Sequence, residues 1–510
     1  MFDISTFLLK KSENYIKYMT AQRYIKNHTN ASKFNMGITN FHKMIKLKYP
    51  TCFQKKWLQN YDHVYIDINY ALHYCSHNAK NEDEVFARLF NFFDNIFQEL
   101  VPTKTTSVCS DGVAPLAKLI LQRKRRLSIS RGLLTDDEFS SLVFTPGTTF
   151  MTNLKNNLKN YLEYIEKSYT IKVNYLDHEI DEAELKLKHE LMCNIKKYPK
   201  GSHVVVTNDA DVIVMLTTLN KSDLHNVFVF CRNNYQNEIL SIGKMLDLHT
   251  NDVGTTINYN LDFALVSIMM GNDYIPKIGL ADFDKLWNSY KEICVGMPEG
   301  LTNFDLTINQ KFFIRLLHGV LNLSKNQFIK KVTLASSFAK LYENYLDGLT
   351  WCLDTYHTGK CIRYDYMYEY PDCPHPLGII LNVLNNPNLL KHNKNVCLPI
   401  SSSLYAILVL PNFAQKLVNK KYHKFMEKND ILYREEKCKK CLEFHDDLKK
   451  SNAELTELDK KDDKKIDEIK NTISQISKRL MAHKKNHDVL TLDDIRTISS
   501  NFENYCVKIK

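Results

Sequence analysis

The sequence predicts an α/β fold: a mostly parallel central sheet flanked by helices, followed by a helical and aromatic-rich second region. Three observations carry this. Short apolar runs of strand length, "HVYIDI" (63–68), "TSVCSDG" (106–112) and "HVVVT" (203–207), are separated by segments of helical periodicity. Each run ends in acids, at Asp67, at Asp111, and at Asp209 with Asp211. In an open parallel sheet the crevice lies beyond the carboxyl ends of the strands, so these carboxylates are expected to converge there.

Composition sets the outer limits. A chain of 510 residues with 44% apolar residues is long enough for two to four domains with real cores. No apolar run approaches the roughly 18 residues of a membrane span, and the start "MFDISTFLLKKSEN" lacks the basic-then-apolar order of a secretory signal. A cytoplasmic protein without a membrane segment is therefore expected. The 13 cysteines are scattered without a small-scaffold spacing and read as reduced thiols. A net charge of +10 coexists with 58 acidic residues, the balance of a protein that holds a polyanion on basic surface and acts on it at an acidic metal site.

Along the chain, residues 1–35 form a basic N-terminal extension and residues 36–300 the core. Within the core, "EVFARLFNFFDNIFQEL" places Val85, Leu89, Phe92, Phe93, Ile96 and Leu100 on one helical face. "NLKNNLKNYLEYI" (153–165) and "LKLKHELMCNI" (185–195) read as further helices. Residues 301–340 are a helical connector, and 341–424, with "GLTWCLDTYHTGKCIRYDYMYEYPDCPHP", a second module packed on the first. Residues 425–510 carry intermixed charges and read as a charged helical arm, a solvated helix or coiled coil that reaches a protein partner. Within it, Cys438 and Cys441 of "CKKC" have metal-ligand spacing; with no second pair nearby, they are expected on a plain surface helix.

Two further acidic segments join the strand-end set. "DEAEL" opens a helix with Glu182 and Glu184, and "MMGNDYIP" uses Gly271 to stop a helix and present Asp273. Seven carboxylates in one crevice could not all ionise unaided, whereas two Mg²⁺ ions, with Mn²⁺ able to substitute, would neutralise them. Beside them, "APLAKLILQRKRRL" sets Lys118, Gln122, Arg125 and Arg126 at i, i+4, i+7 and i+8, a helix face suited to a phosphate.

Taken together, "NMGITNFHKMIKLKYP", "YDHVYIDINYALHYCSH", "SDGVAPLAKLILQRKRR", "FTPGTTFM", "MMGNDYIP", "YLDGLTWCLDTYHTG" and "LYAILVLP" resemble the Xrn family of 5′→3′ exoribonucleases over roughly residues 36–420. The resemblance implies a nuclease core of the flap-endonuclease or PIN-like kind, built from a longer and a shorter region. It implies that Asp67, Asp111, Glu182, Glu184, Asp209, Asp211 and Asp273 are catalytic metal ligands. Lys118, Gln122, Arg125 and Arg126 match the family's 5′-monophosphate pocket, and His73 its base-stacking histidine. The family's stacking tryptophan is absent, with Tyr364 the nearest aromatic to replace it. The family's "HEVPGEGEHKI" is here the shorter, glycine-free "HEIDEAELKL".

The implied function is a Mg²⁺-dependent, processive exoribonuclease. It degrades 5′-monophosphorylated single-stranded RNA to nucleoside 5′-monophosphates in mRNA decay. Scarce glycine, 15 of 510, and the compact length fit a viral member working in a host cytoplasm. Two other readings use the same acids. A structure-specific DNA 5′ nuclease of the flap-endonuclease type is disfavoured by the basic face, which suits a pocket closing on a 5′ end. A nuclease-dead RNA-binding scaffold is disfavoured by the complete acid set.

Overall fold

The computed structural model of the chain describes residue 38 and residues 41–129, 139–232, 237–323, 339–370, 372–434, 438–457, 463–484 and 490–508. The basic extension expected over 1–35 and part of the connector lie outside these residues. The chain divides into two compact units. The first takes in residues up to 71, 90–117 and 159–399; the second takes in 72–89, 118–158 and residues from 400 onward.

The first unit contains the sheet. Its strands among the described residues are β1 (Phe53–Gln54), β2 (Tyr61–Asp67), β3 (Pro102–Cys109), β4 (Lys172–Leu176), β5 (His203–Val206), β6 (Val227–Arg232) and β7 (Asn237–Ser241). Their order is β1-β7-β6-β5-β2-β3-β4. From β4 to β6 the neighbours run parallel, and β7 and β1 complete one edge antiparallel. The mostly parallel sheet predicted from the sequence is what forms. Every residue of β5 is buried, as expected for a β-branched strand covered on both faces. The helices expected from periodicity run over Glu82–Leu100, Thr149–Tyr169 and Ala183–Lys197.

Register decides where the acids fall. Asp67, the last residue of β2, pairs with Cys109 at the end of β3, and Ile66 pairs with Val206 at the end of β5. Asp111 and Asp209 follow two and three residues beyond those flanking strands. Three adjacent parallel strands thus deliver their acids to one edge of the sheet.

The second aromatic region closes over this unit. The helix Ala339–Thr358 buries Tyr345, Leu346, Leu349, Trp351, Cys352, Leu353 and Tyr356 completely. The Trp351 ring lies 4.8 Å from Tyr366 and 5.2 Å from Tyr274, and Arg363 makes a two-pronged ion pair to Asp347 at 2.7 and 2.9 Å. In the second unit, Phe86 stacks on Phe150, and buried Arg123 donates to the carbonyls of Leu408, at 2.6 Å, and Leu432. The charged segment expected as an arm forms two helices packed on each other, Lys439–Glu457 and Asp463–Lys484, before a third, Leu492–Lys508. Among the described residues no helix is long and apolar enough to cross a membrane.

Gly271 ends the helix Tyr259–Met269 at φ 88°, and a Cβ there would lie 2.7 Å from the Lys277 amide nitrogen. A left-handed non-glycine residue costs about 1–2 kcal/mol before any clash. Gly271→Ala is therefore expected to lower the urea-unfolding free energy by at least about 1 kcal/mol. Gly296→Ala, whose Cβ would meet nothing closer than 4.0 Å, should stay within about 0.5 kcal/mol of wild type.

Candidate active site

The acids of the first unit are held at helix starts and turns, where backbone N–H groups point at them. Asp67 accepts from the Asn69 amide at 2.9 Å. Asp111 accepts from the Ala183 amide at 2.9 Å, which ties the end of β3 to the start of the helix Ala183–Lys197. Gly112 permits that approach: a Cβ there would sit 2.4 Å from the Glu179 carbonyl oxygen. Asp209 caps the helix Ala210–Thr217 by accepting from the Asp211 amide at 2.8 Å. Helix N-termini favour negative charge, so local structure supports each anion even as the fold crowds them.

Glu182 and Glu184 are buried on the N-terminal turn of their helix. The buried Tyr274 hydroxyl lies 2.8 Å from one Glu182 oxygen and 3.1 Å from one Glu184 oxygen. A phenol has one proton, so it satisfies two facing carboxylates only in part. Tyr274 follows Asp273, which brings the turn after Gly271 to the same pair. Asn272 fixes that turn by accepting from the Tyr274 and Ile275 amides, each at 2.9 Å, while its amide donates to the Tyr356 hydroxyl at 3.1 Å. Buried Tyr356 is pushed well up, by burial first and then by Asp211 among its neighbours. Asp211 thus shares this environment.

Two lysines are buried in this unit without any sequence signal. Buried Lys186 donates to the carbonyls of Ser110 at 2.7 Å and His178 at 2.5 Å, beside Asp111. Lys188, fully buried, donates to the Met215 carbonyl at 2.9 Å and the Thr218 hydroxyl at 3.1 Å, at the C-terminal end of the helix that Asp209 caps. A donor there satisfies carbonyls that the helix C-terminus leaves without an intrahelical partner. Burial holds its pKa well below the usual lysine value.

These residues fit divalent cations. The donor set is all carboxylate oxygen, the preference of Mg²⁺ and Mn²⁺. Asp262, a buried structural acid elsewhere in the unit, shows the contrast: it accepts from Thr256, Tyr290, Thr302 and the Leu301 and Thr302 amides. Asp67 instead faces Asp111 and Asp209, and its pKa is pushed up to about 7 by burial first and then by Asp111. Among the described residues no three of the seven carboxylates have ligand atoms all within 4.8 Å of one another. Asp67, Asp111 and Asp209 end or follow strands, whereas Glu182, Glu184 and Asp211 sit at helix starts and Asp273 in a turn.

The cationic and stacking residues divide differently. Lys118, Gln122, Arg125 and Arg126 lie in the second unit, on the helix Leu116–Ile129. Arg126 is held by Thr145 Oγ1 at 2.7 Å and by the side chain and carbonyl of Gln122, while Arg125 is exposed. His73 is exposed, with its ring edge-on to Phe144 at 5.3 Å. The expectation for Tyr364 needs correction. It is buried, and its hydroxyl donates to Asp181, so the ring is core and offers no open face to a base.

The family model for the XRN 5′-3′ exonuclease N-terminus matches residues 36–133 and 130–228, the stretch that holds Asp67, Asp111, Glu182, Glu184, Asp209 and Asp211. The chain resembles the Xrn family over that stretch. Over 343 residues it is 25% identical to 5′-3′ exoribonuclease 1 of Saccharomyces cerevisiae, covering 57% of this chain and 22% of that protein. The human 5′-3′ exoribonuclease 1 is 25% identical over 300 residues, covering 48% and 17%. The Gallus gallus 5′-3′ exoribonuclease 2 is 29% identical over 178 residues, covering 25% and 19%. The chain thus spans about a fifth of the length of the curated relatives it matches. Among solved structures, the catalytic core of Rad2 in complex with a DNA substrate aligns at a TM-score of 0.33 and 11% identity, over 75% of this chain and 95% of that one.

Because the fold raises the Asp67 pKa from 3.8 to about 7, the protonated form is the one favoured in the folded state. Its contribution to stability is complete below about pH 4 and is lost as pH rises toward 7. In chelator, the melting temperature of the wild type should fall more steeply between pH 4 and 7 than that of Asp67→Asn, and Mg²⁺ should restore the wild type at pH 7. Parallel melting curves against pH for the two proteins would remove Asp67 from the charged cluster.

Proposed function

We propose that this chain is a Mg²⁺-dependent 5′→3′ exoribonuclease that processively degrades 5′-monophosphorylated single-stranded RNA to nucleoside 5′-monophosphates. The observation that carries the reading is the meeting of acids from three adjacent parallel strands at one sheet edge, inside the region that matches the Xrn family. The relatives, named as 5′-3′ exoribonucleases, supply the direction and the RNA substrate.

Asp67, Asp111, Glu182, Glu184, Asp209, Asp211 and Asp273 are assigned to holding the cations. Bound there, divalent cations supply charge neutralisation and Lewis acidity at the scissile phosphodiester. Tyr274 keeps the Glu182 and Glu184 side chains in place, Asn272 fixes the turn that carries Asp273, and Lys188 anchors the far end of the helix that carries Asp211.

Selection of the end is assigned to Lys118, Gln122, Arg125 and Arg126. Charge-assisted hydrogen bonds to a monophosphate favour that end over a hydroxyl, which leaves the cations without an anion, and over a bulkier triphosphate. The exposed His73 ring, braced by Phe144, is assigned to stacking on the first base. Such an enzyme suits the clearance of messages that have lost their cap in the cytoplasm.

The test uses end-labelled RNA and DNA strands bearing 5′-monophosphate, hydroxyl or triphosphate, with Mg²⁺ and products resolved by size. Single nucleotides released from monophosphate RNA, at least about tenfold faster than from the other ends (about 1.4 kcal/mol), are expected. Asp209→Asn and Asp211→Asn should each lower the rate by about a hundredfold or more with RNA binding retained. Arg125→Ala combined with Arg126→Ala should abolish the end preference. Equal rates on all three ends, internal cuts, or a preference for branched DNA would overturn the assignment.

A further inference from the structure

Outside the acidic cluster, the structure brings three metal-ligating side chains together across the pair of charged helices. Cys438 precedes the helix Lys439–Glu457, Cys441 lies in its first turn, and His483 is at the end of the helix Asp463–Lys484. Their ligand atoms all lie within 4.8 Å of one another, a grouping found at no other place among the described residues. Cys438 Sγ is 3.3 Å from His483 Nε2, and Cys441 is completely buried. The two cysteines have the C-x2-C spacing of zinc sites. The histidine comes from 42 residues further along the chain, so only the fold discloses the set.

We infer that Cys438, Cys441 and His483 bind a structural Zn²⁺ ion that fastens the open end of this helix pair. The dimensions agree. Tetrahedral zinc with Zn–S of about 2.3 Å and Zn–N of about 2.0 Å sets sulfur and nitrogen about 3.5 Å apart, close to the 3.3 Å between Cys438 and His483. Two thiolates and an imidazole select zinc rather than the hard cations suited to carboxylates.

The helices also need such a fastening. Among their described residues, only Cys441, Ile469 and Leu480 are buried, too thin an apolar seam to hold two helices of 19 and 22 residues together by burial alone. Where the core is small, metal-binding free energy becomes folding free energy. The ion would thus be part of the second unit's architecture and independent of the nuclease chemistry.

The experiment takes the full chain, purified without added metal, and measures zinc by mass spectrometry after extensive dialysis. About one zinc per chain is expected, retained in Asp209→Asn/Asp211→Asn, lost in Cys441→Ser, and lost or sharply reduced in Cys438→Ser and His483→Ala. Exchange of cobalt into the wild-type protein supplies a readout that does not depend on a variant folding. A thiolate-to-cobalt charge-transfer band together with tetrahedral visible bands is expected. Stripping the metal should lower helix content by circular dichroism and restoring zinc should recover it. A zinc-free protein that takes up no cobalt with thiolate character, or zinc content unchanged in the three variants, would overturn the inference.

Discussion

Repulsion among carboxylates at the carboxyl edge of a parallel sheet is the constraint to which much of the first unit answers. A parallel sheet delivers the residues after its strands to one edge, and here those residues are Asp67, Asp111 and Asp209. Without counter-charge such a cluster resists ionisation: burial first, and then the neighbouring Asp111, push the Asp67 carboxyl up. The surrounding structure reads as a set of devices that tolerate this charge. Helix N-termini face the acids, Tyr274 bridges Glu182 and Glu184, and Lys186 lies beside Asp111.

The same constraint accounts for the ring packing of the aromatic region. Tyr274 can bridge two glutamates only if its ring is fixed, and Trp351 and Tyr356 pack edge-on against it. Trp351 is in turn set by Tyr366, which fits because position 348 is glycine: a Cβ there would lie 1.9 Å from the Tyr366 hydroxyl. A chain of ring contacts therefore runs from the second region to the acids. Its energetic role is to keep donors from relaxing away from the carboxylates they serve.

Much of this was legible in the sequence because it is local. Strand-length apolar runs ending in Asp gave the sheet and its acidic edge, and a helix opening at "DEAEL" gave Glu182 and Glu184. What escaped depends on tertiary packing. Nothing in the local sequence marks Tyr274 as a bridge between two glutamates, or Lys186 and Lys188 as buried. Arg123, on the helix read for its phosphate-binding face, is buried against carbonyls 285 and 309 residues away. Tyr364 was misjudged in the opposite sense, since a tyrosine-rich stretch says nothing about which rings face inward. Cys438 and Cys441 looked isolated because His483 joins them only when two helices fold back on each other.

The central claim is that this acidic edge is built to hold divalent cations. Its most direct test is anomalous diffraction from crystals of the full chain soaked in Mn²⁺. Peaks are predicted within coordination distance of Asp67, Asp111 or Asp209 on one side and of Glu182, Glu184, Asp211 or Asp273 on the other, and they should vanish when Asp67 and Asp209 are both replaced by Asn. Ordered carboxylates with no manganese among them at saturating concentration, or peaks elsewhere on the molecule alone, would contradict it.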